Sequence, residues 1–286
     1  MNKNPLIALL TDFGLSDAYV GTMKGVILRI CPAARLVDLT HDIQPQNIRQ
    51  AAYVLLTSYA YFPPETVFLV VVDPGVGTAR APVVVETDHG TYVAPDNGVL
   101  SYVLSQVTVL RSVLLHNPEY RLADVSSTFH GRDIFAPAAA HLAAGVPARQ
   151  FGPPADELVT LPEPRLDIDL PRITGEVQHI DHFGNIITSI GWLSWSGPDT
   201  LALSPQFGSP DSGLTDINAA SCTVSLKQKA VLGIRPTYGA VAPGAITALI
   251  GSAGQLEIGM NQGSAAAEFG ARIGDPVTLI IENIGL

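Results

Sequence analysis

Along the first half of the chain the period of apolar positions switches repeatedly. Residues 6–10 (LIALL) form an unbroken apolar run that ends in the turn-like Thr11-Asp12-Phe13-Gly14. Residues 19–30 carry apolar side chains at helical spacing and stop at Cys31-Pro32, where proline disfavours a continuing helix. A short strand is predicted at 36–39 and a helix with an alanine-rich middle at 48–59. Residues 67–72 (VFLVVV) are apolar on both faces, the pattern of a strand buried in a parallel sheet. Residues 83–86 and 91–93 flank Asp88-His89-Gly90, a hairpin signal, and 97–106 and 133–144 read as further helices. Strand and helix alternate over about 150 residues, which predicts a layered α/β domain.

The pattern changes near residue 146. Six prolines fall within 147–171, and helical periodicity fades beyond them. Short apolar segments at 186–190, 230–234, 245–250 and 276–281 are separated by Gly, Pro, Ser and Asn, as in a smaller, mostly β domain, barrel or sandwich. The chain thus divides into an α/β domain over 1–160 and a mostly β domain over 172–286, with 161–171 inside a proline-rich linker. No internal repeat is visible. A chain of 286 residues has the length of two domains and buries enough apolar surface to need neither disulfide nor metal for its core.

Composition narrows the function. Apolar residues make up 47% and charged residues 15%, the reverse of a disordered chain. The net charge of −10 offers no basic face, which argues against nucleic acid and against a polybasic membrane anchor. The uncharged stretch 236–256 contains Pro236, Pro243 and four glycines, so it reads as strands and turns rather than a membrane span. The apolar run at 6–10 is too brief for a signal peptide. Cys31 and Cys222 form no CxxC, so a zinc knuckle or dithiol site is unsupported and both are expected to be reduced. A soluble cytoplasmic protein is expected.

In open α/β sheets ligands sit beyond the carboxyl ends of the strands. After 6–10 come Asp12 and Asp17; after VFLVVV come Asp73-Pro74-Gly75-Val76-Gly77 and then Arg80; the loop 126–132 carries His130. These loops supply carboxylates, an arginine and a histidine to one sheet edge, the ingredients of a polar pocket. Each residue also has a plain structural reading: Asp before Pro-Gly is a common turn formula, and Asp12 could cap a turn. The segment 73–77 lacks the Gly-Lys-Ser/Thr ending of a phosphate loop, and its aspartate would repel phosphate. His89, His116 and His141 have no partners at ligand spacing, and His179 with Asp181 and His182 lacks a third ligand, so no metal is expected.

Several motifs occur in order along the chain: Thr11-Asp12-Phe13-Gly14 with Asp17, Lys24-Gly25, Asp38-Leu39-Thr40-His41-Asp42, and Val72-Asp73-Pro74-Gly75-Val76-Gly77. Ala94-Pro95-Asp96-Asn97-Gly98, Phe129-His130-Gly131-Arg132-Asp133, Asp181-His182-Phe183-Gly184-Asn185, Ile250-Gly251-Ser252 and Asn261-Gln262-Gly263 follow. From about residue 6 to 282 this series resembles the S-adenosyl-L-methionine (SAM) hydroxide adenosyltransferase family, SAM hydrolases related to bacterial fluorinase and chlorinase. The resemblance implies attack of water or hydroxide on the ribose 5′ carbon, with methionine leaving and adenosine formed. It also implies an α/β domain followed by a β-barrel, and a homotrimer whose sites lie between subunits.

The same resemblance implies roles for individual residues. Asp73, Arg80 and His130 surround the nucleophile, and which of them takes the proton is open at this point. Asp12 accepts the ribose hydroxyls, and Asp17 and Asp181 face the methionine ammonium. Asn185 reads an adenine edge beside Phe183 and Tyr238, Ser252 donates to the methionine carboxylate, and Gln262 offers main-chain contacts. The halogenating relatives carry Tyr where Asp73 stands, Trp in place of Gln46, and Arg in place of Ala253. No cofactor is implied. A SAM or adenosine sensor without turnover, and a halogenase, are the alternatives to a hydrolase; simple binding would not require the Asp73, Arg80 and His130 set, and a carboxylate at 73 would repel halide.

Overall fold

Every residue of Val67–Val71 is buried, because this strand lies inside a sheet covered on both faces. In the computed structural model, which describes residues 4–208 and 212–282, it is one of six strands in the first of two compact units, Met1–Leu161 and Pro162–Leu286. Its strands are β1 (Leu6–Thr11), β2 (Arg35–Thr40), β3 (Val67–Val71), β4 (Pro82–Thr87), β5 (Gly90–Pro95) and β6 (Val109–Leu114). They are ordered β2-β1-β3-β5-β4-β6; β2, β1, β3 and β5 run parallel, whereas β4 is antiparallel to both its neighbours. The helices are α1 (Tyr19–Ile30), α2 (Ile48–Ser58), α3 (Ser101–Leu104) and α4 (Ala136–Ala143).

Successive side chains of a strand point to opposite faces, and the core divides accordingly. Ile7 and Leu9 of β1 with Val67 and Leu69 of β3 pack with Met23 and Ile27 of α1 and Ala139 of α4. Ala8, Leu10, Phe68 and Val70 pack on the other face with Ala51 and Leu55 of α2. The predicted α1 matches residue for residue, whereas α2 gives way to a 3-10 turn at Tyr59–Tyr61. The helix predicted over 97–106 shrinks to α3. Gly98 has a φ of +92°, and the Asn97 amide instead donates to the Val72 carbonyl at 2.9 Å. β6 was not foreseen; Arg111 and Ser112 interrupt its apolar run, and its first three residues are exposed. The last helix begins earlier than its apolar pattern suggests, with a π-helical turn over Gly131–Phe135.

The second unit contains β7 (Leu166–Asp169), β8 (Arg172–Ile180), β9 (Ile186–Gly191), β10 (Leu193–Trp195), β11 (Thr200–Leu203), β12 (Leu214–Asn218), β13 (Cys222–Leu226), β14 (Lys229–Leu232), β15 (Ile234–Arg235), β16 (Ile246–Ile250), β17 (Gln255–Met260), the helix α5 (Ala265–Phe269) and β18 (Pro276–Ile281). One path, β14-β13-β18-β8-β9-β17-β16-β15, forms a nearly closed, barrel-like sheet around Ile173, Val177, Ile190, Val224, Ile258 and Leu279. β10, β11 and β12 form a separate small sheet. The proline-rich stretch is only partly a connection, since β7 lies within it and pairs with β8. Cys31 and Cys222 are free and buried. Among the described residues no helix is long and apolar enough to cross a membrane.

Candidate active site

Parallel pairing brings the carboxyl ends of β1 and β3 together, with Thr11 level with Val71. Asp12 and Asp73 therefore leave the sheet at the same edge. Arg80, seven residues on, folds back over Asp73: its Nε lies 2.9 and 3.0 Å from the two carboxylate oxygens, and Nη2 donates to Oδ2. The same Nη2 lies 2.8 Å from His130 Nδ1. Only 5% of the Asp73 side chain and 9% of Arg80 are exposed, and the guanidinium stacks over the Phe135 ring. Asp73 and His130 line a cavity of about 440 Å³ whose other walls include Phe13, Tyr19 and Phe129, three rings in mutual contact with Phe129 edge-on to the other two.

The network fixes the imidazole. Guanidinium has no acceptor atom, so the contact to Nδ1 requires a lone pair there and places the ring proton of neutral His130 on Nε2. Burial and the Arg80 charge lower the His130 pKa, and the opposing pull of Asp73 and Asp133 does not offset them. The cavity therefore meets a neutral N–H donor beside an arginine-held carboxylate. His130 is delivered by the segment before the π turn. There Asp133, fully buried, accepts from the Ser126 backbone at 2.8 Å and from Arg132 at 2.6 Å, tying the loop to the helix start.

Asp12 does not line this cavity. Its Oδ2 accepts the Gln46 backbone N–H at 2.7 Å, and Gln46 adopts a φ of +67° in doing so. Gln46, the tryptophan position of the halogenases, thus acts through its main chain. Behind Asp12, buried His41 holds Thr11 Oγ1 at 2.8 Å, and its carbonyl accepts from Gly14 at 2.8 Å. Asp17 is exposed in the loop before α1 and is not among the residues lining this cavity. His89 is spent on the carbonyls of Tyr59 and Phe62, and His141 packs on the Tyr120 ring.

The other six predicted residues converge in the second unit. Asp181, Phe183, Asn185, Tyr238, Ser252 and Gln262 all line one cavity of about 980 Å³. Asp181 organises the turn: Oδ1 accepts the backbone N–H groups of Phe183 and Asn185 at 2.9 and 2.8 Å, and Oδ2 accepts Asn185 Nδ2 at 2.9 Å. Gly184 has a φ of +81°, and a Cβ there would lie 2.0 Å from Ser264 Oγ, so the turn requires glycine. The turn leaves the Phe183 ring 73% exposed, a flat apolar face at the cavity rim. Sequence reasoning missed Glu257 in this cavity, a buried carboxyl that accepts from the Tyr238 hydroxyl. Burial, together with the Asp181 charge, raises its pKa despite that hydrogen bond. Its only signal was the single charge within QLEIGM.

Residues 7–152 match the SAM hydroxide adenosyltransferase N-terminal domain, and 175–278 match the C-terminal domain of the same description. The chain belongs to the SAM hydroxide adenosyltransferase family. It is 38% identical to an (R)-S-adenosyl-L-methionine hydrolase of Thermus thermophilus, over 96% of this chain and 99% of that protein. A fluorinase of Actinoplanes sp. is 31% identical over 66% of this chain and 72% of its own length. Among solved structures, an uncharacterized conserved protein from Thermotoga maritima aligns with a TM-score of 0.83 and 35% identity, covering 96% of this chain and 99% of that one. The two matched segments of this family correspond to the α/β unit and the β unit respectively.

Proposed function

We propose that the protein hydrolyses S-adenosyl-L-methionine to adenosine and L-methionine, with Asp73, Arg80 and His130 acting on the attacking water. The observation that carries this reading is the Asp73–Arg80–His130 network at the wall of a cavity, a construction that binding alone does not need. Curated relatives in this family are named (R)-S-adenosyl-L-methionine hydrolases, and we extend the (R) epimer of the sulfonium to this chain.

The reaction asks little of an acid. The C5′–S bond breaks with its electron pair going to sulfur, and methionine departs as a neutral thioether. What is required is in-line placement of water and an acceptor for its proton. His130 Nε2–H donates to the water oxygen and turns a lone pair toward C5′. With Nδ1 occupied by Arg80, the imidazole is the donor and Asp73 is the base. Arg80 orients Asp73 through its paired hydrogen bonds. A halide would meet the Asp73 carboxylate, which disfavours halogenation.

Binding follows from the remaining residues. Asp12 takes the ribose hydroxyls with the acceptor capacity left beside Gln46. Asp17 and Asp181 face the ammonium, Asn185 reads adenine between Phe183 and Tyr238, Ser252 donates to the carboxylate, and Gln262 contributes its main chain. No metal or cofactor enters this chemistry. From the family resemblance we extend to this chain a homotrimer in which the first unit of one subunit meets the second unit of its neighbour. Buried free cysteines fit action in the cytoplasm. The test is incubation of the full chain with (R)- and (S)-SAM separately, followed by chromatography for adenosine and methionine. Product from the (R) epimer is expected; binding without product would make the protein a sensor, and chloride-dependent 5′-chloro-5′-deoxyadenosine would make it a halogenase. Light scattering tests the trimer, and a monomer with full activity would refute it.

A further inference from the structure

Asn185 is 7% exposed, and its amide is held from two sides. Nδ2 lies 2.9 Å from Asp181 Oδ2 and 3.2 Å from the Tyr238 hydroxyl. The Tyr238 proton is already given to Glu257 Oε1, so the tyrosine oxygen can only accept from Asn185. Asp181, a carboxylate, can only accept as well. Both protons of the Asn185 amide are therefore consumed inside the wall. A flipped amide would set its carbonyl against the Asp181 carboxylate and against a tyrosine oxygen with no proton to give. The carbonyl Oδ1 is left as the atom the site presents.

The surroundings are shaped for this chain of bonds. Glu257 and Gly259 share one face of β17, two residues apart. A Cβ at Gly259 would lie 2.6 Å from the Tyr238 ring and 3.1 Å from Asn185 Oδ1. A Cβ at Gly251 would lie 2.5 Å from Glu257 Oε2. Glycine at both positions leaves room for the three polar side chains at the cavity wall.

We infer that Glu257 is a positioning residue: acting through Tyr238, it locks the Asn185 amide with its carbonyl facing the ligand, so that the site takes a purine nucleoside bearing an exocyclic amine and rejects the oxo counterpart. This rests on the adenosine-binding reading above and adds the group that enforces base selectivity. An exocyclic N–H donates to Oδ1, whereas an oxo group would face it acceptor to acceptor, with the site's own group left unpaired.

The experiment measures dissociation constants of adenosine, inosine and purine riboside on the full-length protein by calorimetry, for the native chain, Glu257→Gln and Tyr238→Phe. The native protein binds adenosine roughly tenfold or more tightly than inosine, since a site built to accept a hydrogen bond discriminates against a ligand that cannot donate it. Glu257→Gln keeps the shape but brings an N–H that can donate to the tyrosine oxygen. This releases the tyrosine proton toward Asn185 and removes one of the two contacts that oppose a turned amide, so turning costs less although Asp181 still resists it. The adenosine-to-inosine ratio then falls by roughly fivefold, the equivalent of one neutral hydrogen bond, with inosine binding tighter than to the native protein. Purine riboside, which has neither group, changes least. A gain for inosine is a readout that general damage to the site would not produce. Tyr238→Phe, which removes the link, lowers the ratio in the same direction and covers the case in which Glu257→Gln fails to fold. An unchanged ratio in a folded variant, with adenosine bound at native strength, overturns the positioning role and leaves adenosine binding intact. Failure of the native protein to bind adenosine overturns both.

Discussion

Arg80→Met removes the cation between Asp73 and His130 while keeping an apolar stem of similar length over Phe135. The Asp73 carboxylate, 5% exposed, is then left without its guanidinium. Removing one partner of a buried ion pair typically costs ~3–5 kcal/mol, because the other charge stays desolvated. For a unit of this size that corresponds to a fall of roughly 6–20 °C in melting temperature. His130 responds as well. Burial still disfavours its charged form, but the Arg80 repulsion is gone while the attraction of Asp73 and Asp133 remains, so its pKa rises above the native position. With Nδ1 freed, the tautomer is no longer fixed, and hydrolysis falls by ~10²–10⁴, the worth of a positioned acid–base group. The assays are guanidinium unfolding, NMR titration of the His130 ring, and adenosine release at saturating SAM. Arg80→Lys is the control: charge returns and the His130 pKa stays low, but the rate remains reduced because an ammonium cannot span the carboxylate and the imidazole as a planar fork does. An Arg80→Met protein with an unmoved His130 pKa and a stability loss under ~1 kcal/mol would refute the picture of a desolvated, guanidinium-organised site.

Asp73→Asn keeps shape and hydrogen bonding but removes the base; kcat falls by ~10²–10⁴ while KM for SAM changes little, as read by single-turnover and steady-state kinetics. Asp12→Ala weakens adenosine by ~1–3 kcal/mol, 2′,3′-dideoxyadenosine binds the native protein comparably badly, and in calorimetry the two losses do not add. His130, His141 and His179 all have pKa values held below the ordinary 6.5, chiefly by burial, so the unfolded chain binds more protons as the pH drops through that value. Their contribution to stability is complete above pH ~6.5 and is lost as the pH falls toward the folded-state values, so urea midpoints decline between pH 7.5 and 5.5. Burial pushes the Cys222 thiol up to about 11, and at pH 8 it reacts with a thiol reagent only at the rate of unfolding.

The parts of this fold that are legible in the sequence are those in which local pattern and burial agree. VFLVVV reads as a two-face-buried strand and is one, and the hairpin turns at Gly90, whose φ of +96° suits glycine. The rule that ligands gather beyond strand ends is enough to pick out Asp12, Asp73 and the loops beside them. What pattern cannot supply is long-range pairing. Nothing local says that Arg80 reaches His130 fifty residues away; the strand-end rule puts both in loops at one sheet edge, and the family resemblance joins them with Asp73 as one set. β6 escapes because Arg111 and Ser112 interrupt the apolar run of this edge strand, and α3 is overestimated because Gly98 and the Asn97–Val72 bond break the helix that its apolar residues suggest. Glu257 escapes for another reason: a single charge in an apolar strand has no periodicity, and its meaning lies in the tyrosine nineteen residues upstream.

The π turn at Gly131–Phe135 makes chain length itself a determinant of the site. Ala136 N–H bonds back to the Gly131 carbonyl, a turn one residue wider than an α turn. Gly131 sits where a Cβ would press within 3.3 Å of Met23, Phe129 and Phe13, so the wide turn is wedged between α1 and the aromatic wall. Deleting one residue from 131–135 would restore regular α-helix and rotate everything before it by ~100° about the axis of α4. His130 would leave Arg80, while Ala136, Ala139 and Ala140 kept their places in the core. A one-codon deletion would thus disconnect the imidazole from the guanidinium without touching either side chain, and a one-codon insertion in a regular helix is a route by which such a site can be gained.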